Sequence, residues 1–466
     1  MTAPSAAARR LDPALLRMGG VLSLGAILAT LDTTIVNVGI DAVARDFASP
    51  LATIQWVSTG YLLALSVVIP LTGWMISRFG ARRMWIASVA VFTATSVLCG
   101  LAWSAPALIV FRVLQGLGGG LMQPIGQAMI AQAAGPSRIT RVISVLVVPI
   151  TFAPVVGPVL GGFIVRELDW RWMFFVNVPI GVVTVLLAAR VLPADGPREA
   201  GARLDTLGLC LLSPGLAAVV YGLSEAGNTG GFGAGHVVFA LLAGVALLLG
   251  YGVHAVRGRI AALIDLRLFA RRGFAAATTN SFLLGASLYS SMLLLPLYYQ
   301  QIRHADALAA GLLLAPQALG TAVVLTFAGR LTDRFSPRAV ILGGIGLSLA
   351  GTVAFTQLGS APPAWLLTAS LVLRGAGIGS IMGPNMGAVY ASVDRADVPK
   401  ASAALNVLNR VGGSLGTAVL AVILQNQLQH TPDAPAAYGH TFWWALGLSA
   451  VTVLPALFFP RRTEKD

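Results

Sequence analysis

Apolar residues run along this 466-residue chain in long blocks, and short polar clusters separate the blocks. A helix crossing the roughly 30 Å hydrocarbon layer at about 1.5 Å per residue needs about 20 mostly apolar residues. Segments that meet this demand are 18–40, 54–76, 84–103, 106–130, 141–165, 172–193, 205–224, 235–255, 274–299, 307–329, 339–357, 364–390, 400–426 and 440–460. The pattern predicts an all-α integral membrane protein with fourteen transmembrane helices. The first block is too long for a cleaved signal peptide, contains Asp32 and is followed by Asp41 instead of a small-residue cleavage site.

Two motifs recur along the chain. GWMISRFG at 73–80 follows the second block and GRLTDRFS at 329–336 follows the tenth; LQGLGGGLMQP from Leu114 to Pro124 is answered by LRGAGIGSIMGP from Leu373 to Pro384. Spans 1–6 and 9–14 are thus expected to be two copies of one six-helix bundle, a duplication that lets two halves rock about a site near the midplane. The expected division is 1–193 for the first bundle, 194–272 for a polar connector and two linker helices, and 273–466 for the second bundle. Pro193, Asp195, Pro197, Glu199 and Arg203 mark the connector.

Composition agrees. Hydrophobic residues make up 56% and charged residues 11%, against about a quarter charged in soluble domains. Cys99 and Cys210 sit within apolar stretches and read as small packing residues, not a disulfide framework. A net charge of +13 raises the question of nucleic acid, but no Lys/Arg run exceeds two residues and no polar domain carries a basic face. Nucleic acid is therefore not an expected partner. The charge reads instead as orientation, because cytoplasmic loops collect Lys and Arg. With the N-terminus inside, most basic residues fall on the cytoplasmic side, including Arg9, Arg10, Arg17, Arg78, Arg82, Arg83, Arg138, Arg141 and the cluster from Arg257 to Arg272. Arg45, Arg166, Arg171 and Arg303 fall opposite, and Arg112, Arg374 and Arg410 lie within spans. The chain is expected in the cytoplasmic (inner) membrane with both termini cytoplasmic and membrane lipids as partners.

The few charges inside spans carry the candidate chemistry. LDTTIVNV at 31–38 places Asp32 well inside an apolar helix, where an aspartate costs about 2.5–3.5 kcal/mol and must pair or be protonated. Burial raises a carboxyl pKa and a nearby cation lowers it, so an acid exposed to alternating surroundings can load and release a proton. Arg112 lies within a helical turn of the same depth and is the natural partner, direct or through a substrate; a permanent structural pair is the plainer alternative. QGLGGG after Arg112 resembles a dinucleotide-binding loop only superficially, since no strand precedes it and its glycines lie inside a span. Close helix packing accounts for it. PVVGPVLGG offers Gly157 and Gly161 as a small-residue face, joined by Gly162, and Pro154 and Pro158 as bends. The motif is either a packing kink or a bend that seals the two halves on the outer side.

LDTTIVNV, RVLQGLGGG, GPVLGG and GWMISRFGARR together resemble the signatures of major facilitator superfamily drug:proton antiporters of the fourteen-helix branch. WRWMFFVNVPIG (170–181), LDTLGL (204–209) and LIDLRLF (263–269) extend the resemblance over the whole chain. It implies the major facilitator fold and proton-coupled efflux. Asp32 and Arg112 would serve proton coupling, and Gly157, Pro158, Gly161 and Gly162 would form the antiporter motif. Gly73, Arg78, Gly80, Arg82, Arg83, Asp333 and Arg334 would belong to cytoplasmic loop latches. Two departures stand out: Ser77 replaces the loop aspartate that normally precedes the arginine, and Asp41 replaces a proline.

The expected function is export of small amphiphilic compounds, such as drugs, antibiotics or related metabolites, in exchange for protons. The proton motive force is the energy source; no cofactor, metal or catalytic residue is expected, and the chain reads as a monomer and not an enzyme. Candidate substrate-binding residues are Asn37, Gln55, Tyr61, Gln115, Gln123, Gln127, Asn280, Tyr289, Tyr298, Gln317, Arg374, Asn385, Asn406, Asn409 and Arg410. About half are expected to touch substrate, the others bonding helix to helix. With Asp32 the lone acid among the intramembrane charges, anionic, zwitterionic or neutral amphiphiles are favoured over polycations. The alternatives are a dedicated metabolite or lipid exporter on this scaffold and a non-transporting membrane sensor or scaffold.

Overall fold

The computed structural model describes residues 12–135, 139–196, 203–257, 262–360 and 362–459. Arg9, Arg10, Arg138, Pro197 and Glu199 lie outside them, as does the side chain of Arg141. The long helices are α1 (Pro13–Asp46), α2 (Trp56–Phe79), α3 (Ala81–Gly100), α4 (Ala105–Ala134), α5 (Ile139–Glu167), α6 (Trp172–Val191) and α7 (Thr206–Thr229). They continue with α8 (Gly235–Arg257), α9 (Arg272–Gln301), α10 (Ala307–Phe335), α11 (Pro337–Ser360), α12 (Ala364–Ala391), α13 (Val398–His430) and α14 (Ala434–Val451).

These helices coincide with the fourteen predicted blocks and often outrun them, because polar capping turns extend each helix beyond its apolar run. Ser104, Asp205, Asp306 and Asp433 each accept a backbone N–H in the first turn of the helix that follows. Among the described residues thirteen helices, α1 to α13, are long and apolar enough to cross a membrane. The last carries Tyr438, His440 and Thr441 near its start, is less apolar, and is prolonged by the short helix Val453–Ala456.

The duplication is visible in the packing of matching glycines. Gly116 and Gly120 of α4 lie against the α2 backbone at Tyr61 and Leu65, and Gly118 lies against Ser88 and Phe92 of α3. In the second half Gly375 and Gly379 of α12 lie against Gln317 and Thr321 of α10, and Gly377 against Gly344 and Ser348 of α11. A Cβ at any of them would collide with a neighbouring helix, so these residues set the interhelical distance. Within the first half α1 packs on α5, α6 and α4, and α4 on α2 and α3; within the second, α9 packs on α13 and α14, and α12 on α10 and α11.

The extra pair is placed asymmetrically. Helix α7 lies against both α2 and α13: Ser213 Oγ donates to the Val67 carbonyl at 2.7 Å, Trp56 stacks on Tyr221, and Gly227 faces Ala418 and Ala421. Helix α8 packs chiefly on α7 and turns Phe239, Leu242, Leu249 and Val256 outward, as a lipid-facing helix does.

Candidate functional site

Asp32 is 0% exposed and Arg112 1%, and they meet directly, with Arg112 Nη1 2.6 Å from Asp32 Oδ2. The small residues of α4 permit this, since α2 and α3 come close enough to cover both charges. Arg112 also donates through Nε to the Val57 carbonyl (3.1 Å) and through Nη1 to Gln115 Oε1 (2.6 Å). Its guanidinium lies 4.1 Å from the Tyr61 ring centroid and 5.7 Å from that of Phe174, contacts that favour the cation.

The other carboxylate oxygen is held as tightly. Gln115 Nε2 donates to Asp32 Oδ1 at 3.1 Å and Asn177 Nδ2 at 2.7 Å. Behind them Ser96 Oγ accepts from Gln115 at 2.5 Å, and Cys99 donates to Gln115 Oε1 at 3.7 Å. Gln115 and Tyr61, two predicted pocket residues, therefore belong to the carboxylate cage. Asn177, Ser96 and Phe174 were not legible as members. Asn177 lies in the quoted stretch WRWMFFVNVPIG, but one uncharged polar residue in an apolar helix gives no sign of which neighbour it faces.

Helix α5 is sandwiched. Gly157 abuts Thr34, and a Cβ on Gly161 would come within 3.1 Å of the Ile35 carbonyl of α1, so the small-residue face packs within the first half. The opposite face meets α10, where Val155 and Pro158 approach Gly311. Gly162 faces open space. The motif thus packs inside one half and across to the other at once.

Hydrogen bonds joining the halves gather at the end of the bundle that carries the basic loops. Asn406 Nδ2 donates to Gln127 Oε1 at 2.8 Å, Ser402 Oγ to the Pro124 carbonyl at 2.8 Å, and Arg395 to the Gln132 carbonyl at 3.1 Å. Gln127 and Asn406, read from sequence as pocket residues, are spent here on closing the basic end. Asn280, Asn385 and Asn409 knit the second half together: Asn280 bonds Asn385 at 2.9 Å, Asn385 bonds Ser281 at 2.6 Å, and Asn409 bonds the Ser281 carbonyl at 3.0 Å. Tyr298 is buried and accepts from Arg303 at 2.9 Å. Asn37 accepts from Ser58 at 3.0 Å, while Gln55, Gln123 and Tyr289 are exposed.

Arg374 and Arg410 differ from Arg112. Arg374 is 3% exposed, donates to Gln317 Oε1 at 2.9 Å and to Ser291 Oγ, and lies 3.5 Å from the Ser287 carbonyl. Arg410 lines a small cavity with Ser66, Ile69, Leu216, Val407 and Val411 where α2, α7 and α13 meet. Among the described residues neither has a carboxylate at ion-pair distance.

At the basic end the loop after α2 turns at Gly80, whose φ of +94° suits glycine. Asp195, from the connector after α6, reaches under this turn and accepts from the backbone N–H groups of Arg82 (2.8 Å) and Arg83 (3.3 Å). The loop without an acid at Ser77 thereby receives one from a distant segment, at a helix N-terminus where negative charge is favoured. In the second half the matching turn is Ser336, at φ +123°, and its own Oγ caps Ala339. Gly73 lies against Lys400 at the start of α13. Nearby, the Asp394 carboxylate accepting from Arg271 at 2.8 Å pushes that guanidinium's pKa up. Asp195→Ala should unfasten the first loop and lower transport, and adding Ser77→Asp should restore part of it; a flux assay on the two variants checks this, and undiminished flux in Asp195→Ala would remove the acid from the latch.

A many-spanning helical protein, internally duplicated around a caged acid, has the architecture of a membrane transporter. The sequence profile described as Major Facilitator Superfamily matches residues 22–293 and 277–466, and the chain belongs to that family. Among its relatives, the Multidrug resistance protein B homolog of Mycobacterium tuberculosis is 40% identical over 97% of this chain and 91% of its own length. The Tetracenomycin C resistance and export protein of Streptomyces glaucescens is 29% identical over 87% of this chain and 75% of its own. The crystal structure of the human organic anion transporter MFSD10 superposes with a TM-score of 0.67, covering 96% of this chain and 100% of that one at 16% identity, a likeness of fold.

Proposed function

We propose that this chain exports small amphiphilic compounds across the cytoplasmic membrane in exchange for protons, by alternating access between its two halves. The observation that carries the reading is the fully buried Asp32, set in an apolar helix and caged by Arg112, Gln115 and Asn177. Such an acid is expensive to keep in a membrane interior, and its use is to bind and release a proton as its surroundings change. Names of relatives that include multidrug resistance and tetracenomycin C export support drugs and antibiotics as the cargo class. The proton motive force suffices as energy source, since one charge crossing 100 mV supplies about 2.3 kcal/mol, roughly a fifty-fold gradient of a neutral substrate. The chain works as a monomer in lipid, without cofactor or metal, with both termini cytoplasmic. In that orientation the clasp of Gln127, Asn406, Ser402 and Arg395 closes the cytoplasmic side. The test is proton release from proteoliposomes on addition of tetracenomycin C or other amphiphiles; a complete panel moving no protons would remove the reading.

Charge narrows the cargo. Asp32 already neutralises Arg112, whereas Arg374 and Arg410 have no carboxylate partner among the described residues, so the interior repels further positive charge. Neutral, zwitterionic and anionic amphiphiles should be exported well and divalent organic cations poorly. Strong export of divalent cations, unchanged by Arg374→Gln and Arg410→Gln, would contradict this.

A further inference from the structure

Among the described residues, every hydrogen-bonding contact of the Asp32 side chain is with a donor: Arg112 on Oδ2, and Gln115 and Asn177 on Oδ1. That shell suits a carboxylate and leaves no acceptor for a carboxylic acid, which must donate its proton to something. The acceptors close by are occupied. Gln115 Oε1 is taken by Arg112 and Cys99, and Ser96 Oγ by Gln115. Among the side chains bonded to Asp32, Asn177 alone keeps a free acceptor: its Oδ1, on a residue 0% exposed, has no hydrogen-bond partner although its own amide nitrogen already touches Asp32.

We infer that Asn177 is the positioning residue that reads the protonation state of Asp32, its side-chain amide turning over when the acid takes up a proton. An amide presents nitrogen and oxygen at nearly equal reach, so a half-turn about its last side-chain bond replaces the donor on Asp32 Oδ1 by an acceptor without moving the backbone. In the ionised state Nδ2 donates to the carboxylate; in the protonated state Oδ1 accepts from the acid. After the turn Nδ2 occupies the place where Oδ1 now finds no partner. An orphaned amide N–H is harder to tolerate than an orphaned carbonyl oxygen. The present conformation therefore holds the acid ionised, and a rearrangement that brings an acceptor to Nδ2 favours the protonated form. In this way α6 ties the proton on α1 to the arrangement of the bundle.

The titratable and charged groups facing the site are Arg112 on α4, Tyr61 on α2 and Cys99 on α3, with Arg410 of α13 within electrostatic range of Tyr61. The guanidinium groups carry no acceptor, Cys99 is engaged with Gln115, and Tyr61 Oη, which also has no hydrogen-bond partner, makes no hydrogen bond to Asp32 in this arrangement. The inference rests on the reading of Asp32 as the coupling acid, and the experiment keeps the two apart.

The test is infrared difference spectroscopy of the purified full chain between alkaline and acidic buffer, with asparagine labelled by ¹³C at the side-chain carbonyl. The wild type should show a carboxylic-acid band together with an isotope-shifted asparagine carbonyl band, titrating with one midpoint. Asp32→Asn should remove both, and Asn177→Leu should remove the asparagine band alone. A silent asparagine carbonyl while the acid band titrates, or a band that survives Asn177→Leu, overturns the amide switch. An acid band unaltered by Asp32→Asn overturns the reading of Asp32 itself. The labelled wild type decides the amide's part even if Asn177→Leu fails to fold.

Discussion

Asp32→Asn should abolish proton-driven export, and with it the roughly fifty-fold gradient that one proton crossing 100 mV can sustain. The substitution preserves shape and leaves an amide oxygen to accept from Arg112, but removes the titrating group. Exchange of substrate between the two faces at equal pH should persist, because it needs the halves to rock and no proton to move. Transport in vesicles with and without an imposed pH gradient separates the two activities. Wild-type acceleration under an acidic exterior should be flat in the variant. Were the variant to keep the pH response of the parent, Asp32 would be a structural acid, permanently paired to Arg112.

Removing the other partner should cost stability as well as transport. Arg112→Leu strands a carboxylate that is 0% exposed and deletes the bonds to Asp32, Val57 and Gln115. Breaking a buried pair from one side costs about 3–5 kcal/mol, whereas replacing both members by apolar groups is close to neutral. Thermal unfolding in detergent should show a large loss for Arg112→Leu and substantial recovery in the double variant Asp32→Leu/Arg112→Leu. The double variant should remain inactive. If it is no more stable than the single one, the cost lies in helix packing around Arg112 and not in the stranded charge.

The sequence makes some parts of this molecule plain and hides others for physical reasons. Helix positions are legible because a bilayer demands unbroken apolar runs, and a charge inside such a run is conspicuous; hence Asp32 and Arg112 stand out. Matching depth makes their pairing possible, and the fold decides that it is direct. Uncharged polar residues carry no such label. By sequence Gln127 and Asn406 are as suited to line a pocket as any polar residue in a span, yet they bond to each other across the halves, while Asn177, which nothing in the sequence marks, reaches the acid itself. Side-chain facing depends on helix rotation, which a run of apolar residues leaves undetermined. The loop at Ser77 shows a different limit. Its missing acid is supplied by Asp195, a residue 113 positions away from Arg82, and only the folded chain brings them together.

The position of α7 has a mechanical consequence. Because it touches α2 on one side and α13 on the other, it spans a seam between the two moving bodies. It holds α2 by the Ser213–Val67 bond and the Trp56–Tyr221 stack, and meets α13 largely through apolar side chains, with Gly227 against Ala418 and Ala421 and Val219 and Leu223 against Ala418 and Val411. A helix gripped on one flank and greased on the other behaves as a sliding gasket. It is expected to travel with the first half while the second slips past, keeping hydrocarbon tails out of the widening gap.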